Sequence, residues 1–391
     1  MGSIRDRVAI IGMGVTKTGE LWDKNVDDLV LDAATDALQD AGLESKDLQA
    51  GFLGVQYSIV ANSHLSRSLK TGHMPVTQVL NACATGGDVF RTACMAVASG
   101  LYDIVIACGA EKVKDEGGTG VPGHMLLRGT QVEPAMSTAA GAAIFATRYA
   151  HQYGYTPEEI KRALARIAVK NHQNGTLNPK AHFQKAITME QALEAPIISW
   201  PLGLYDCCAN VDGGAAAILC RADLAPHFKS DYVLVRGIAG CNSDGTQDLS
   251  TAFDGASFPE NEVASRLAYA MAGVREPSKE LSEVQIHDAF SIVELLNYEA
   301  LGLVPKGTAP RYVMEGYFDR EGQVPVNTDG GLKCFGHPVG ATGIKMMLEP
   351  YLQLRGKAGP RQLQNPRLAL AQNQGGGNAS SSVITVLAPR D

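Results

Sequence analysis

Three side chains with acyl-transfer chemistry sit where the backbone changes direction. They are Cys83 in Asn81-Ala-Cys-Ala-Thr-Gly86, His287 in His287-Asp-Ala-Phe290, and His337 in Gly336-His-Pro-Val-Gly-Ala-Thr-Gly343. A glycine run, Gly375-Gly-Gly377, follows near the C-terminus. Cys83 stands where a strand-like run meets a helix of small residues that starts near Ala84 and carries Val89, Phe90, Ala93 and Val97. A sulfur there faces free backbone N–H groups and the positive end of the helix dipole, and both favour the nucleophilic thiolate. The glycines around His337 permit close backbone approach, and an imidazole can take a thiol proton near neutral pH. His287 ends the apolar run Val284-Gln-Ile286; alone, it reads equally as a core histidine satisfied by Asp288. One cysteine, two histidines in short loops and a glycine cluster, in that order, form an acyl-transfer constellation.

The elements that must position these groups follow from pattern. Arg7–Ile11 reads as a buried strand. Asn25 caps a helix with Asp27 and Asp28 in its first turn, an apolar stripe of Leu29, Val30, Ala33, Ala37 and Leu38, and Gly42 at its end. Strands are expected at Phe52–Val55, Val76–Leu80 and Asp103–Cys108, and their alternation with helices predicts a mostly parallel sheet. Residues from about 111 to 205 read as an insertion covering one end of the sheet, with helices near Ser137–Tyr153 and Pro157–His172. The strand Ala215–Cys220 returns to the core, and Asp223-Leu-Ala-Pro226 marks a boundary. This predicts two domains, 1–225 with the nucleophile and 226–391 with the histidines. The second half repeats the first: a strand at Tyr232–Ile238, a helix at Glu260–Gly273, a strand at Val284–His287 and a helix around Ile292–Leu301. A helix near Thr342–Gln353 follows His337, and strands at Leu368–Gln372 and Ser382–Leu387 close the sheet.

Composition narrows the class. The 391 residues are 45% hydrophobic and 19% charged, enough for a large buried core. A net charge of −7 leaves no basic surplus for nucleic acid or an anionic membrane. No apolar stretch reaches the roughly 18 residues of a membrane span, and the N-terminus lacks a signal core. The eight cysteines form no Cys-x-x-Cys pair and no Cys/His zinc spacing, so the expectation is free thiols in a reducing cytoplasm and no metal site. Gly12-Met-Gly14 after the first strand invites a dinucleotide reading. The third glycine of that fingerprint is replaced by Lys17, so a tight turn is the better reading.

On these motifs the chain resembles the thiolase superfamily, in the branch related to sterol-carrier-protein thiolases. The resemblance runs from Val8-Ala-Ile-Ile-Gly-Met-Gly14 to Ser382-Val-Ile-Thr-Val-Leu387. Gly336–Gly343 is its most specific motif; Pro201–Cys207 and Asp212–Ile218 are also similar. It implies the thiolase fold: two pseudo-equivalent βαβαβ-type α/β halves in five αβαβα layers, with the covering insertion. It implies Cys83 as nucleophile, His337 activating it and helping to hold an oxyanion, and His287 donating to the substrate thioester oxygen. The N–H groups of Cys83 and Gly375 would form a second oxyanion hole. Coenzyme A would be a substrate, and no cofactor would be bound permanently. The insertion helps bind coenzyme A in this family, which makes the basic segment 162–182 a candidate phosphate contact.

The implied reaction is that of a thiolase-type acyl-CoA C-acyltransferase: CoA-dependent cleavage of a 3-oxoacyl-CoA, or the reverse Claisen condensation, through acyl-Cys83, with a bulky or aromatic substrate as the expectation. A homodimer paired around the strand before Cys83 is implied as well. The chain departs from the family at one point. Ordinary thiolases carry a second cysteine, a general acid/base, where this chain has Asn373; sterol-carrier-type enzymes place it where this chain has Ala289. Cys334 and a water held by Asn373 are the candidate substitutes, with His287 a third. Branch members without the second cysteine work beside a small zinc-ribbon/OB-fold acyl-CoA-binding subunit, as in archaeal acetoacetyl-CoA thiolase and benzoylsuccinyl-CoA thiolase. The alternatives are a related C–C enzyme without thiolysis, such as a retro-aldolase or C-acyltransferase, and a non-catalytic acyl-CoA or lipid binder. Retention of Cys83 speaks against the aldolase, and its retention with both histidines speaks against the binder.

Overall fold

In the computed structural model, which describes residues 3–58, 62–116, 137–245, 253–376 and 381–390, the Asn25 side chain accepts from the Asp28 N–H while Asp28 reaches back to the Asn25 N–H. This reciprocal cap opens helix α1 (Val26–Ala41), and Gly42 ends it in the left-handed conformation. The strands are β1 (Val8–Val15), β2 (Ala50–Gly54), β3 (Val76–Val79), β4 (Ile104–Glu111), β5 (Ile197–Ser199), β6 (Leu202–Gly203), β7 (Gly213–Arg221), β8 (Val233–Asn242), β9 (Glu283–Ile286), β10 (Ala369–Gly375) and β11 (Ser381–Pro389). Nine of them form one sheet in the order β3-β2-β4-β7-β1-β8-β11-β10-β9, and β5 pairs with β6 apart from it.

The sheet is mixed, which corrects the expectation of mostly parallel pairing. Only β2–β3, β2–β4 and β9–β10 are parallel; the pairings that join β4, β7, β1, β8, β11 and β10 are all antiparallel. Parallel neighbours need a crossover helix. β10 and β11 are joined by a short segment instead, so they must run antiparallel.

Read outward from the β1–β8 junction, the order is β1-β7-β4-β2 on one side and β8-β11-β10-β9 on the other. Each half therefore places its first, last, penultimate and second strands in the same sequence. The counterpart of β3 is reduced to one parallel bridge, Val284 to Val326. The internal repeat expected from the sequence is thus present in topology.

Helices complete five layers. α1 packs on the outer face of the first half-sheet, where Leu29, Val30, Ala33 and Ala37 meet Ile11, Ile106 and Ile218. Between the half-sheets lie α2 (Thr85–Ala98) and, from the second half, α8 (Val339–Lys345) and α9 (Leu348–Leu354). Val89, Phe90 and Ala93 of α2 share one cluster there with Ala341 and Ile344 of α8 and with Ala107, Ala217, Ala371 and Val383 of the strands. α5 (Pro259–Ala272) and α6 (Ser291–Ala300) cover the second half-sheet. The helix expected as one piece near Thr342–Gln353 breaks at Met346-Met347, because Pro350 can neither donate to the Met346 carbonyl nor avoid it. The insertion helices α3 (Thr138–Tyr153) and α4 (Pro157–Gly175) turn away from the first half and pack on α6 and on α7 (Gly331–Cys334) of the second.

Candidate active site

Cys83 lies in the five-residue junction, 80–84, between β3 and α2. Ala82, before it, has φ 48°, a left-handed conformation that costs an alanine of order 1 kcal/mol and marks a constrained turn. The turn is held by the Thr85 hydroxyl donating to the Ala82 carbonyl at 2.6 Å, and by the Ala84 N–H donating to the Asn81 carbonyl at 3.0 Å.

α2 and α8 cross where both are glycine. A Cβ on Gly86 would sit 2.6 Å from the Gly343 nitrogen, and one on Gly343 would overlap the Gly87 nitrogen. This close crossing places the N-terminus of α8, with His337 just before it, beside the N-terminus of α2, with Cys83 just before it. It explains the glycines of the Gly336–Gly343 motif.

The Cys83 sulfur and one ring nitrogen from each of His287 and His337 all lie within 4.8 Å of one another. The two rings meet edge to face, with centroids 5.1 Å apart. Their tautomers are opposed. The Thr342 hydroxyl donates to the Pro338 carbonyl at 3.0 Å, so its oxygen is left to accept from His337 Nδ1 at 2.7 Å. His337 Nε2 is therefore a bare lone pair, the form of a base. For His287, the chain of reasoning starts at Gly87, whose N–H can only donate and does so to Asn373 Oδ1 at 3.1 Å. Asn373 Nδ2 then faces the Cys83 carbonyl at 3.0 Å and His287 Nδ1 at 3.1 Å. Nδ1 accepts, so the proton is on His287 Nε2, which is a donor.

Asp288 does not serve His287, contrary to the simpler reading. Its carboxylate accepts from the N–H groups of Leu332 and Lys333 and from Asn171 Nδ2 of α4, so the insertion buttresses the histidine loop.

Burial sets the charge states. Desolvation, with Lys345 nearby, pushes His287 down to about 3. Desolvation, His287 and Lys345 hold His337 well below its ordinary value. Cys83 is pushed up to about 12 by desolvation and by the Glu111 carboxylate. The N–H groups of Cys83 itself and of Gly376 act in the other direction but do not win. The expected resting thiolate is thus corrected: the helix terminus is present, but enclosure and a negative neighbour outweigh it.

Glu111, at the end of β4, is fully buried and accepts from the N–H groups of Gln56, Tyr57, Ser58 and Gly340, which ties the two halves together at the site. Nothing in the local sequence of Glu111 signalled this, since its donors come from two distant segments, 56–58 and Gly340.

The structure places the other candidates as follows. Gly375 lies in β10 opposite Ser381, and a Cβ there would come 2.8 Å from the Cys83 nitrogen. The amide aimed at the sulfur belongs to Gly376, with φ 84°, one residue further on. Gly377 lies outside the described residues. Cys334 is fully buried, outside the sulfur–imidazole cluster, with its side chain against Gly175 of α4. Asn373 is also fully buried, and its amide is spent on three protein partners, leaving it no donor for a water. A sulfur and two imidazoles this close could in principle hold a metal ion. With Nδ1 of His287 accepting from Asn373, the nitrogen left to face an ion carries the proton, so this donor set does not fit one in its present tautomer.

Comparison with known proteins bears on the same region. Residues 8–223 match the N-terminal domain of thiolase, and residues 243–389 match the thiolase C-terminal domain-like family. The chain belongs to the thiolase family. It is 38% identical over 397 residues to acetyl-CoA acetyltransferase of Methanothermobacter thermautotrophicus, covering 96% of this chain and 98% of the relative. It is 30% identical over 386 residues to the benzoylsuccinyl-CoA thiolase subunit BbsB of Thauera aromatica, covering 95% of each. The Ltp2-ChsH2(DUF35) aldolase structure superposes with a TM-score of 0.85 at 24% identity over 99% of both chains, a likeness of fold. For a thiolase, the mirrored strand order, the glycine crossing and the sulfur–imidazole cluster are parts of one device that joins the halves at the Cys83 sulfur.

Proposed function

We propose that this thiolase-family chain is an acyl-CoA C-acyltransferase working through an acyl-Cys83 intermediate. The observation that carries this reading is the sulfur held within 4.8 Å of two imidazole nitrogens whose tautomers make one a base and the other a donor. His337 Nε2 takes the Cys83 proton as the sulfur attacks the ketone carbon of a 3-oxoacyl-CoA. The N–H groups of Cys83 and Gly376, both directed at the sulfur, would hold the resulting oxyanion. The Cα–Cβ bond then breaks, and His287 Nε2–H donates to the enolate oxygen of the leaving acyl-CoA. Free coenzyme A finally takes the acyl group from Cys83. Every step is reversible, so the same groups serve Claisen condensation.

The relatives are named for acetyl-CoA and for benzoylsuccinyl-CoA. An assay panel running from acetoacetyl-CoA to aryl 3-oxoacyl-CoA thioesters separates a small from a bulky or aromatic acyl group. A partner subunit is part of the reading: Ala289 and Asn373 occupy the two usual places of the second cysteine, and one relative is itself called a subunit. The occupant we assign is a small zinc-ribbon/OB-fold acyl-CoA-binding protein. All eight cysteines are free, which supports a reducing, cytoplasmic setting, and no helix of the described residues is long and apolar enough to cross a membrane. The test is mass spectrometry after exposure to acyl-CoA. An acyl adduct is expected on the peptide containing Cys83, and an adduct that persists in Cys83→Ala refutes the assignment.

A further inference from the structure

Carbon–carbon cleavage leaves an enolate whose α-carbon must receive a proton while Cys83 is occupied by the acyl group. A second acid is therefore required, on the acyltransferase reading above. His287 offers only a neutral imidazole N–H, a weak acid. Asn373 has no donor left, and Cys334 is walled off by α4.

The segment following β6 supplies another thiol. Cys207 forms an antiparallel bridge with Phe290, and the Cys208 N–H donates to the Ala289 carbonyl at 2.9 Å. Cys208 thus stands directly opposite Ala289, two residues past His287. Opposed residues of an antiparallel pair project to the same face. Both pack against the same apolar cluster. One residue further, the Ala209 carbonyl accepts from the His337 N–H at 2.8 Å. Cys208 is in this way stitched between the two histidine segments. Lys333 Nζ fastens the same junction by donating to the carbonyls of Asp206 at 2.9 Å and Asp288 at 3.3 Å. Like Cys83, and unlike Cys334, Cys208 is partly exposed. Cys207 leaves on the other face, where its sulfur meets the Gly203 carbonyl at 3.6 Å.

A buried cation stands near the Cys208 sulfur. Lys345, 1% exposed, has an Nζ with no hydrogen-bond partner, lying 4.1 Å over the Phe335 ring. Burial pushes the Cys208 thiol above its ordinary value, so at rest it holds its proton, the state of an acid.

We propose that the Cys208 thiol is the acid that protonates the substrate α-carbon, and that its thiolate is the base in the reverse direction. When the Cα–Cβ bond breaks, its electron pair becomes the enolate, and the S–H proton of Cys208 is transferred to Cα. The Cys208 thiolate then takes the proton of the incoming coenzyme A thiol. The sulfur of that thiol attacks the acyl carbon, Cys83 leaves, and Cys83 regains its own proton from His337. Each proton is thereby returned.

The test is α-deuteration of acetyl-CoA, butyryl-CoA and 3-phenylpropionyl-CoA by the full chain in D₂O, with acylation of Cys83 measured alongside. Cys208→Ser should slow exchange roughly 10²–10⁴-fold while its melting temperature stays within a few degrees of wild type, which shows the variant to be folded. Cys207→Ser and Cys334→Ser should exchange within a few-fold of wild type. Wild-type exchange in Cys208→Ser overturns the role of Cys208 alone. A wild-type chain that is neither acylated nor able to exchange overturns the acyltransfer reading on which it rests.

Discussion

At the scale of the residue, the site is a neutral assembly at rest. With Cys83 pushed up to about 12, the thiolate fraction rises tenfold for each pH unit below that value. Iodoacetamide labelling of Cys83 should therefore climb about tenfold per unit between pH 7 and pH 10. A plateau between pH 6 and pH 8 would mean that the thiolate is already formed and that this charge assignment is wrong. Because no resting ion pair does the work, the base acts within the reaction itself, and His337→Ala should cut turnover by roughly 10²–10⁴. The lowered value of His337 carries its own sign. The neutral, proton-accepting form persists below the usual imidazole range, so the acid limb of kcat/KM should fall below pH 6.5, and a limb at or above 6.5 would contradict it. His287→Ala should cost about 3–4 kcal/mol of transition-state stabilisation, a loss of about 10²–10³ in kcat, with acylation of Cys83 retained. Asn373→Ala should move in the same direction, since its amide fixes the His287 tautomer; full activity in that variant would show that the tautomer is set by something else.

At the scale of the element, the decisive contact is the crossing of α2 and α8. Gly343 faces the Gly87 nitrogen and Asn373 Oδ1 with no room for a methyl group. Gly343→Ala forces the two helix N-termini apart, and with them Cys83 and His337. Overpacking of this kind costs about 1–3 kcal/mol. In a chain of this length that corresponds to about 1–4 °C in Tm. Turnover should fall further than the stability loss alone explains, because the sulfur–imidazole spacing widens. Calorimetry paired with an acylation assay checks both, and unchanged acylation in a folded Gly343→Ala would mean that the crossing does not set the site.

At the scale of the whole molecule, one edge of the nine-stranded sheet is open among the described residues. Among those residues β3 has no outer neighbour, its Thr77 and Gln78 are exposed, and Leu80 just beyond it is 61% exposed. An unpaired edge with an exposed leucine is a template for another strand. It lies immediately before Cys83, so a second copy docked there would steady the nucleophile turn. The isolated chain is expected to run in light scattering at twice its 41.4 kDa, and a mass near 41.4 kDa would refute the dimer. Full activity of the chain assayed alone would remove the need for a small acyl-CoA-binding subunit.

The sequence by itself determined what is local. The Asn25 cap, the small-residue helix behind Cys83 and the glycine-framed His337 are each written in a few consecutive residues, and with them came the family and its two-half architecture. Tertiary structure decided what depends on distant segments meeting. Parallel or antiparallel pairing rests on which strands become neighbours, a matter of connection length rather than of strand composition. The charge of Cys83 was misjudged because a helix terminus is visible in sequence, whereas the enclosure and the Glu111 carboxylate that outweigh it come from across the fold. Asn373 appears in sequence only as a missing cysteine; in the structure it orients His287 through a chain that begins at Gly87, 286 residues away. Cys208 carried no local signal at all, since its place beside Ala289 is created by a single backbone bridge between segments some eighty positions apart.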